Sequence, residues 1–433
     1  MARRTDQENG VERWGPLAVI LLLALGLRLV AAVVVTSYVE RKGTLCVFPD
    51  TAAYWELGRT IVDGDPYLIR QAGGPHYALR TPGYPLFLAG CRWAFGPSLL
   101  AVRVVQAVLG TLAVALVAGL TRETVGEGKN PGYWSRPLMA ATLAAIEPYT
   151  VGTTALVLSE ALFVPMMLAG LWGLARLWRG GGRPVVVALV TGLAMGAAVL
   201  VRPSWALFVP GAIGFWVAVA GRTDRGRAIR SAVLVAFGTA LIMMPWWIRN
   251  ERVLGRFVPT ALWVGASLYD GISPTADGSS AMEFLDAPDV APLGEVEQDA
   301  DLRKRSIAFA RANPGRVLEL AFVKLGRFWS PWPNADTLQA PGVTAGSAVV
   351  TLPVFALLAV GLWDQRRDPR SLLVLAGPLA YFCVLHLVFV SSIRYRIPGE
   401  VPAMGLAAVG WDRIRSGWFE SRKRIENSDK TQM

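Results

Sequence analysis

An all-α polytopic membrane protein, with about ten transmembrane helices and nine to thirteen compatible with the pattern, is the fold class that this 433-residue sequence predicts. Three observations carry the prediction. The chain is 53% hydrophobic and only 17% charged, and adding its glycines gives roughly 63% apolar, against about 45–50% in soluble domains. The apolar residues come in blocks of about 17–24, the length that crosses about 30 Å of hydrocarbon. The formal charge of +11 is carried mostly by Lys and Arg in short loops between those blocks, where they set orientation rather than bind nucleic acid. Disorder, collagen and a soluble globular class are excluded by the same numbers.

Taken in order, the blocks alternate about a membrane with the amino terminus cytoplasmic. Span one, about 15–37, follows Arg3, Arg4 and Arg13 and exceeds the roughly 7–15 apolar residues of a cleaved signal peptide, so it is read as permanent. The first external loop, 38–98, holds a polar segment with Asp50, Glu56, Asp63 and Asp65 and a helix at the interface over Pro85–Phe95. Span two (99–120) leads to the loop 121–136, with Arg122, Lys129 and Arg136. Spans three (137–150) and four (156–178) reach Arg179–Arg183, and spans five (184–201) and six (204–220) turn at Arg202-Pro203. Arg222, Arg225, Arg227 and Arg230 form the clearest cytoplasmic marker. Span seven (231–248) completes a transmembrane module over 1–248. The polar region 249–345 follows as a small extracytoplasmic segment, with a Gly/Ser/Pro-rich stretch (271–294) and an amphipathic helix from about Asp299 to Phe328. Spans eight (346–363), nine (371–390) and ten (398–412) form the carboxy-terminal group, with Arg366-Arg367-Asp368-Pro369-Arg370 inside and a basic cytoplasmic tail over 413–433.

On this topology the polar residues beside apolar blocks gather at the outer face. Asp50 follows span one, Arg80 to Pro85 precede the interfacial helix, Glu147 ends span three and Glu160 begins span four. Arg202, Arg249-Asn250 and Arg394-Tyr395-Arg396 close spans five, seven and nine. An ionisable group near hydrocarbon is costly unless paired or solvated, which makes it a functional hint. The guanidinium fork suits phosphate oxygens, and a carboxylate at the surface can serve as a general base. The cluster reads as a site for an anionic, phosphate-bearing lipid.

Plainer readings apply to several of these residues. Arginines at span ends also snorkel to lipid phosphates, and Glu147 and Glu160 can cap helices or pair with an arginine. Asp63-Gly64-Asp65 looks like an acidic metal motif, but Pro66 beside it makes it a turn first. His76 and His386 share no ligand spacing and read as packing residues. Cys46, Cys91 and Cys383 have no metal-ligand spacing, and only Cys46 with Cys91 is a candidate disulfide.

The ordered set Phe48-Pro49-Asp50, Tyr54, Leu57-Gly58, Gly64-Asp65-Pro66-Tyr67 and Arg80-Thr81-Pro82-Gly83-Tyr84-Pro85-Leu86-Phe87-Leu88-Ala89 resembles the start of C-type (GT-C) membrane glycosyltransferases. These are the relatives of protein O-mannosyltransferases and of the lipid A aminoarabinose transferase. The resemblance continues through Ala101-Val102-Arg103-Val104-Val105-Gln106, Ser159-Glu160-Ala161-Leu162-Phe163, Val201-Arg202-Pro203, Pro245-Trp246-Trp247-Ile248-Arg249-Asn250 and Ser392-Ile393-Arg394-Tyr395-Arg396-Ile397-Pro398.

That resemblance implies an enzyme of a bacterial inner membrane that moves a sugar from a polyprenyl-phosphate donor to a glycan, lipid or protein acceptor at the extracytoplasmic face, with inversion. It makes Asp50 of the first loop the catalytic carboxylate, acting as general base, with Glu160 as a second carboxylate. It places the donor phosphate on Arg202, Arg249, Arg394 and Arg396, and substrate contacts on Tyr54, Arg80 and Tyr84. A divalent cation, Mg or Mn, stays open as a cofactor, although Thr51, Ala52 and Ala53 follow Asp50 where several relatives carry a second adjacent acid. A transporter or flippase of an anionic lipid, and a non-catalytic subunit of glycan assembly, are the alternative functions. Charges gathered at one face favour the enzyme, since a transport path would spread them through the membrane depth.

Overall fold

A computed structural model of the chain describes residues 2–44, 47–129, 134–180, 183–335 and 339–431. The described chain is almost entirely helical, because a backbone in hydrocarbon must satisfy its own hydrogen bonds. Cys46 lies outside the described residues, so the Cys46–Cys91 pairing lies outside them too.

The elements run α1 (Ala2–Arg41), α2 (Pro49–Asp63), a hairpin of β1 (Ile69–Gln71) and β2 (Gly74–His76), α3 (Gly83–Phe95), α4 (Leu99–Val125), α5 (Arg136–Ile146), α6 (Pro148–Ala155), α7 (Glu160–Arg179), α8 (Pro184–Val201), α9 (Phe208–Val219) and α10 (Arg225–Leu254). Then come α11 (Val264–Gly271), α12 (Glu295–Ala312), α13 (Pro314–Phe328), α14 (Pro341–Gln365), α15 (Pro369–Ser371), α16 (Gly377–Val388) and α17 (Ile393–Thr431). Among the described residues seven helices are long and apolar enough to cross a membrane: the Gly15–Arg41 part of α1, α4, α7, α8, α10, α14 and the Pro369–Val388 segment. The three other spans expected from the sequence fall on shorter or interrupted helices. Span three breaks at Glu147-Pro148 into α5 and α6, span six is a 3-10 turn at Pro203–Trp205 followed by α9, and span ten is the buried first half of α17.

Each break has a local cause. Pro148 starts α6 at a position that needs no N–H donor, and Glu147 caps it by accepting the Thr150 N–H at 2.7 Å. Arg28 of α1 donates to the carbonyls of Ala144 (3.1 Å) and Ala145 (3.2 Å) at the end of α5, a cation where the helix dipole favours one. In α8 and α10, Gly192 and Gly238 face each other so closely that a Cβ on Gly192 would meet the Val235 carbonyl oxygen at 2.2 Å. This is the small-residue contact by which membrane helices pack without a hydrophobic drive.

The basic loops meet at one end of the bundle. Arg179 pairs with Glu123 at 3.3 Å, Arg136 with Asp412 at 2.9 Å, and Arg370 donates to the Thr124 carbonyl. At the other end, the loop between α1 and α4 folds into α2, the hairpin and α3, with α3 on the expected Pro85–Phe95 helix. The amphipathic stretch 299–328 is two helices rather than one, because Pro314 cannot continue α12 and instead begins α13. The 249–345 region has its own small core of Ala266, Val290 and Leu302. Glu295 ties it to the hairpin by accepting the N–H groups of Tyr77 and Ala78, both at 2.7 Å.

Candidate active site

Two carboxylates and three guanidiniums from five separate segments form one chain of ion pairs at the α2 end of the bundle. Arg80 holds Asp50 at 2.8 Å, and Arg394 bridges Asp50 (2.9 Å) to Glu160 (2.6 Å). Arg202 then holds the same Glu160 oxygen at 2.7 Å. Pro49 starts α2, so Asp50 lies in its first turn; Glu160 opens α7, and Arg394 sits at the start of α17. Three helix amino termini therefore converge on the cluster, and each favours negative charge there. Aromatic rings line the guanidiniums: Arg80 lies over Trp263 (4.9 Å) and Tyr54 (5.5 Å), while Arg202 (5.5 Å) and Arg394 (5.8 Å) share Tyr395.

The two carboxylates differ in access. The Asp50 side chain is 32% exposed and that of Glu160 is 0%, so only Asp50 can meet a group arriving from outside. Burial pushes the Asp50 carboxyl up, but Arg80 and Arg394 beside it outweigh that and hold it at about 2, well below the usual carboxylate range. Among the described residues no three His, Cys, Asp or Glu converge on a metal-sized site, and Asp50 is paired with two guanidiniums, those of Arg80 and Arg394.

Residues 79–248 match the family model for dolichyl-phosphate-mannose-protein mannosyltransferase, which takes in Arg80, Glu160 and Arg202. Over the whole chain the structure superposes on the oligosaccharyltransferase of Archaeoglobus fulgidus. With the apo form the TM-score is 0.59 at 15% identity, covering 96% of this chain and 52% of that one. With AglB in complex with an inhibitory peptide and dolichol-phosphate it is 0.56 at 16% identity, covering 96% and 51%. The chain shares the fold of that archaeal oligosaccharyltransferase. The chain spans about half the length of the archaeal enzyme. ArnT from Cupriavidus metallidurans bound to undecaprenyl phosphate also aligns, at a TM-score of 0.44 and 15% identity over 91% of this chain and 77% of that one. No curated protein matches by sequence.

Not every arginine expected at the phosphate is brought to the cluster. Arg249 instead donates to the carbonyls of Tyr77 (2.6 Å) and Tyr67 (2.8 Å), stitching α10 to the hairpin loop. Arg396 is fully buried, pairs with Glu400 at 2.7 Å and holds the Phe328 and Ser330 carbonyls. Both are occupied by backbone groups that a sequence does not place. Tyr84 is fully buried beneath Tyr54 at 5.0 Å, with its hydroxyl accepting from Gln106 at 2.9 Å. Asp63 and Asp65 flank a left-handed turn at Gly64 (φ 74°) and both pair with Arg59. Glu147 is a helix cap, His76 is buried, and His386 binds the Val390 carbonyl at 2.7 Å and stacks on Tyr395.

The sequence reading missed Trp263, which lies in the polar 249–345 region without any motif around it, and Tyr395, which the Arg-Tyr-Arg spacing does mark. It also missed Val157 in the turn between α6 and α7, which has φ 52°. A β-branched residue in that region costs roughly 1–3 kcal/mol and persists only where its surroundings fix it.

Proposed function

We propose that this chain is a membrane glycosyltransferase that takes a sugar from a polyprenyl-phosphate donor at the extracytoplasmic face and passes it, with inversion, to an acceptor hydroxyl. One observation carries the reading. In the Asp50 cluster three guanidiniums face two carboxylates, leaving one positive charge uncompensated at a convergence of helix amino termini. A sugar phosphodiester carries one negative charge and completes the balance. That the archaeal relative was captured with dolichol-phosphate and an inhibitory peptide, and separately tethered to an acceptor peptide, supports a lipid phosphate and an acceptor meeting in such a fold.

Arg394 and Arg202 hold the phosphate, and Asp50, the exposed carboxylate, meets the acceptor. As the acceptor oxygen attacks the anomeric carbon, the bond from that carbon to the phosphate oxygen breaks, and polyprenyl phosphate leaves with an added negative charge. Guanidiniums already in place stabilise that charge without reorganising. The acceptor proton passes to Asp50. A carboxylate at about 2 is a weak base, so the phosphate has a second role: it draws Arg394 away from Asp50 and raises the basicity of Asp50 only when donor is bound. Glu160, buried between Arg202 and Arg394, keeps both guanidiniums aimed at the phosphate.

The test is release of polyprenyl phosphate by purified protein from a panel of radiolabelled polyprenyl-phosphate sugars with candidate acceptors. Wild type is expected to release it, and Asp50→Asn, folded to the same extent, to lose about 10²–10⁴ in rate. Equal release by both would remove Asp50 from the chemistry. Absence of both donor binding and release by folded wild type would overturn the reading.

A further inference from the structure

The strained turn between α6 and α7 is held from outside itself, and by residues adjoining the candidate site. Its four consecutive carbonyls face three side-chain donors, with one hydroxyl proton shared between two of them. Arg103 of α4 donates to Ala155 at 2.9 Å, and Gln106 of α4 to Leu158 at 3.2 Å. The Thr51 hydroxyl of α2 reaches Val157 at 3.2 Å and Leu156 at 3.5 Å. Val157 and Leu158 are fully buried, as are Thr51 and Gln106, so no water can replace these donors at small cost. The turn ends at Ser159, and the next residue is Glu160.

Thr51 is the residue after Asp50. One turn of α2 thus carries the exposed carboxylate and also grips the turn that delivers the buried one. We propose that Thr51 and Gln106 are positioning residues, which keep Val157 in its left-handed conformation and so fix the spacing between Asp50 and Glu160 across which Arg394 is stretched. The inference rests on the function proposed above, since the spacing matters because a phosphate must enter between Arg394 and Asp50. The strain explains why a hydroxyl and an amide are needed: a turn that relaxed to ordinary φ would carry Glu160 away from Arg202 and Arg394. A buried threonine held only for its shape would be replaceable by valine, which lacks the hydroxyl.

The experiment compares Thr51→Val and Thr51→Ser in the full chain, reading hydrogen exchange of amides 156–162 and the kinetics of polyprenyl phosphate release. Thr51→Val is expected to speed exchange in that segment about fivefold. It should lower kcat about ten- to hundredfold, with the donor KM little changed because the net charge of the site is kept. Thr51→Ser should restore both. Wild-type exchange and kcat in Thr51→Val, or equal defects in Thr51→Ser, would overturn the proposal. If Thr51→Val does not fold, Gln106→Met probes the same turn from α4 and is expected to give the same pair of effects. If folded wild type neither binds donor nor releases polyprenyl phosphate, the proposed function falls, and the exchange measurement alone still decides whether Thr51 holds the turn.

Discussion

Asp50 and Glu160 are both carboxylates on helix amino termini, yet their environments assign them different tasks. Asp50 is held at about 2 against about 3.9 for an unperturbed aspartate. Its folded-state value is depressed, so its ion pairs contribute fully above about pH 4 and are lost only as the pH falls through about 2. We therefore expect kcat/KM for the donor, which reports the free enzyme, to show no ionisation of Asp50 between pH 5 and 8, whereas kcat shows a limb displaced upward once phosphate has taken Arg394. A limb of kcat/KM near pH 6 that disappears in Asp50→Asn would contradict this. Glu160 has no exposure with which to meet substrate. Glu160→Gln leaves Arg202 and Arg394 without their shared partner, a loss worth roughly 3–5 kcal/mol for a buried pair. The expected outcome is a fall in Tm that polyprenyl phosphate partly reverses, because an anion replaces the lost charge and binds only the folded state. Thermal unfolding with and without the lipid, where wild type should gain less than the variant, checks it.

Among the elements, the helix amino termini do most to place the site, and they differ in how legible they were. Pro49 before Asp50 and Pro148 after Glu147 are sequence punctuation, since proline is at home in a first turn, and Glu147 beside its proline is the cap of α6. The division of 299–328 at Pro314 follows the same rule, which the continuous amphipathic pattern across it concealed. The destinations of Arg249 and Arg396 carry no such signal: both end on main-chain carbonyls of distant segments, and a carbonyl is present at every residue. The contact between α12 and the hairpin is equally silent in the sequence, although it holds the 249–345 region beside Arg80. Glu295→Ala would leave the buried Ala78 N–H and the Tyr77 N–H without their acceptor, at about 1–3 kcal/mol for each such group. We expect faster limited proteolysis within 271–294 and little change in the unfolding of the helical bundle. Unchanged cleavage would mean that other contacts suffice to hold the region.

At the scale of the whole molecule, hydropathy and charge made the membrane bundle legible because both are sums over many residues. The count of spans was less so, since α5 with α6, the 3-10 turn with α9, and α17 reach their depth through breaks and buried polar groups. The site was legible as a face, with four of its five charged members named from their positions at span ends and Arg80 from the segment before α3, but which of them touch depends on the packing of α2, α7, α8 and α17. Orientation remains the property on which the proposed chemistry depends, and the architecture makes a definite expectation of it. Arg136, Arg179 and Arg370 gather at one end of the bundle, and the exposed 222–227 segment adds three more arginines. The Asp50 cluster is at the other end, with its arginines neutralised by carboxylates except for one charge. Positively charged short loops stay cytoplasmic, so the Asp50 end should face outward. A cysteine at exposed Ala72 should react with a membrane-impermeant maleimide on intact cells, and one at exposed Arg222 only after permeabilisation. The reverse pattern would put the phosphate site on the cytoplasmic side, where a nucleotide-linked donor would compete with a lipid-linked one, and the single uncompensated charge would then have to be explained by a different anion.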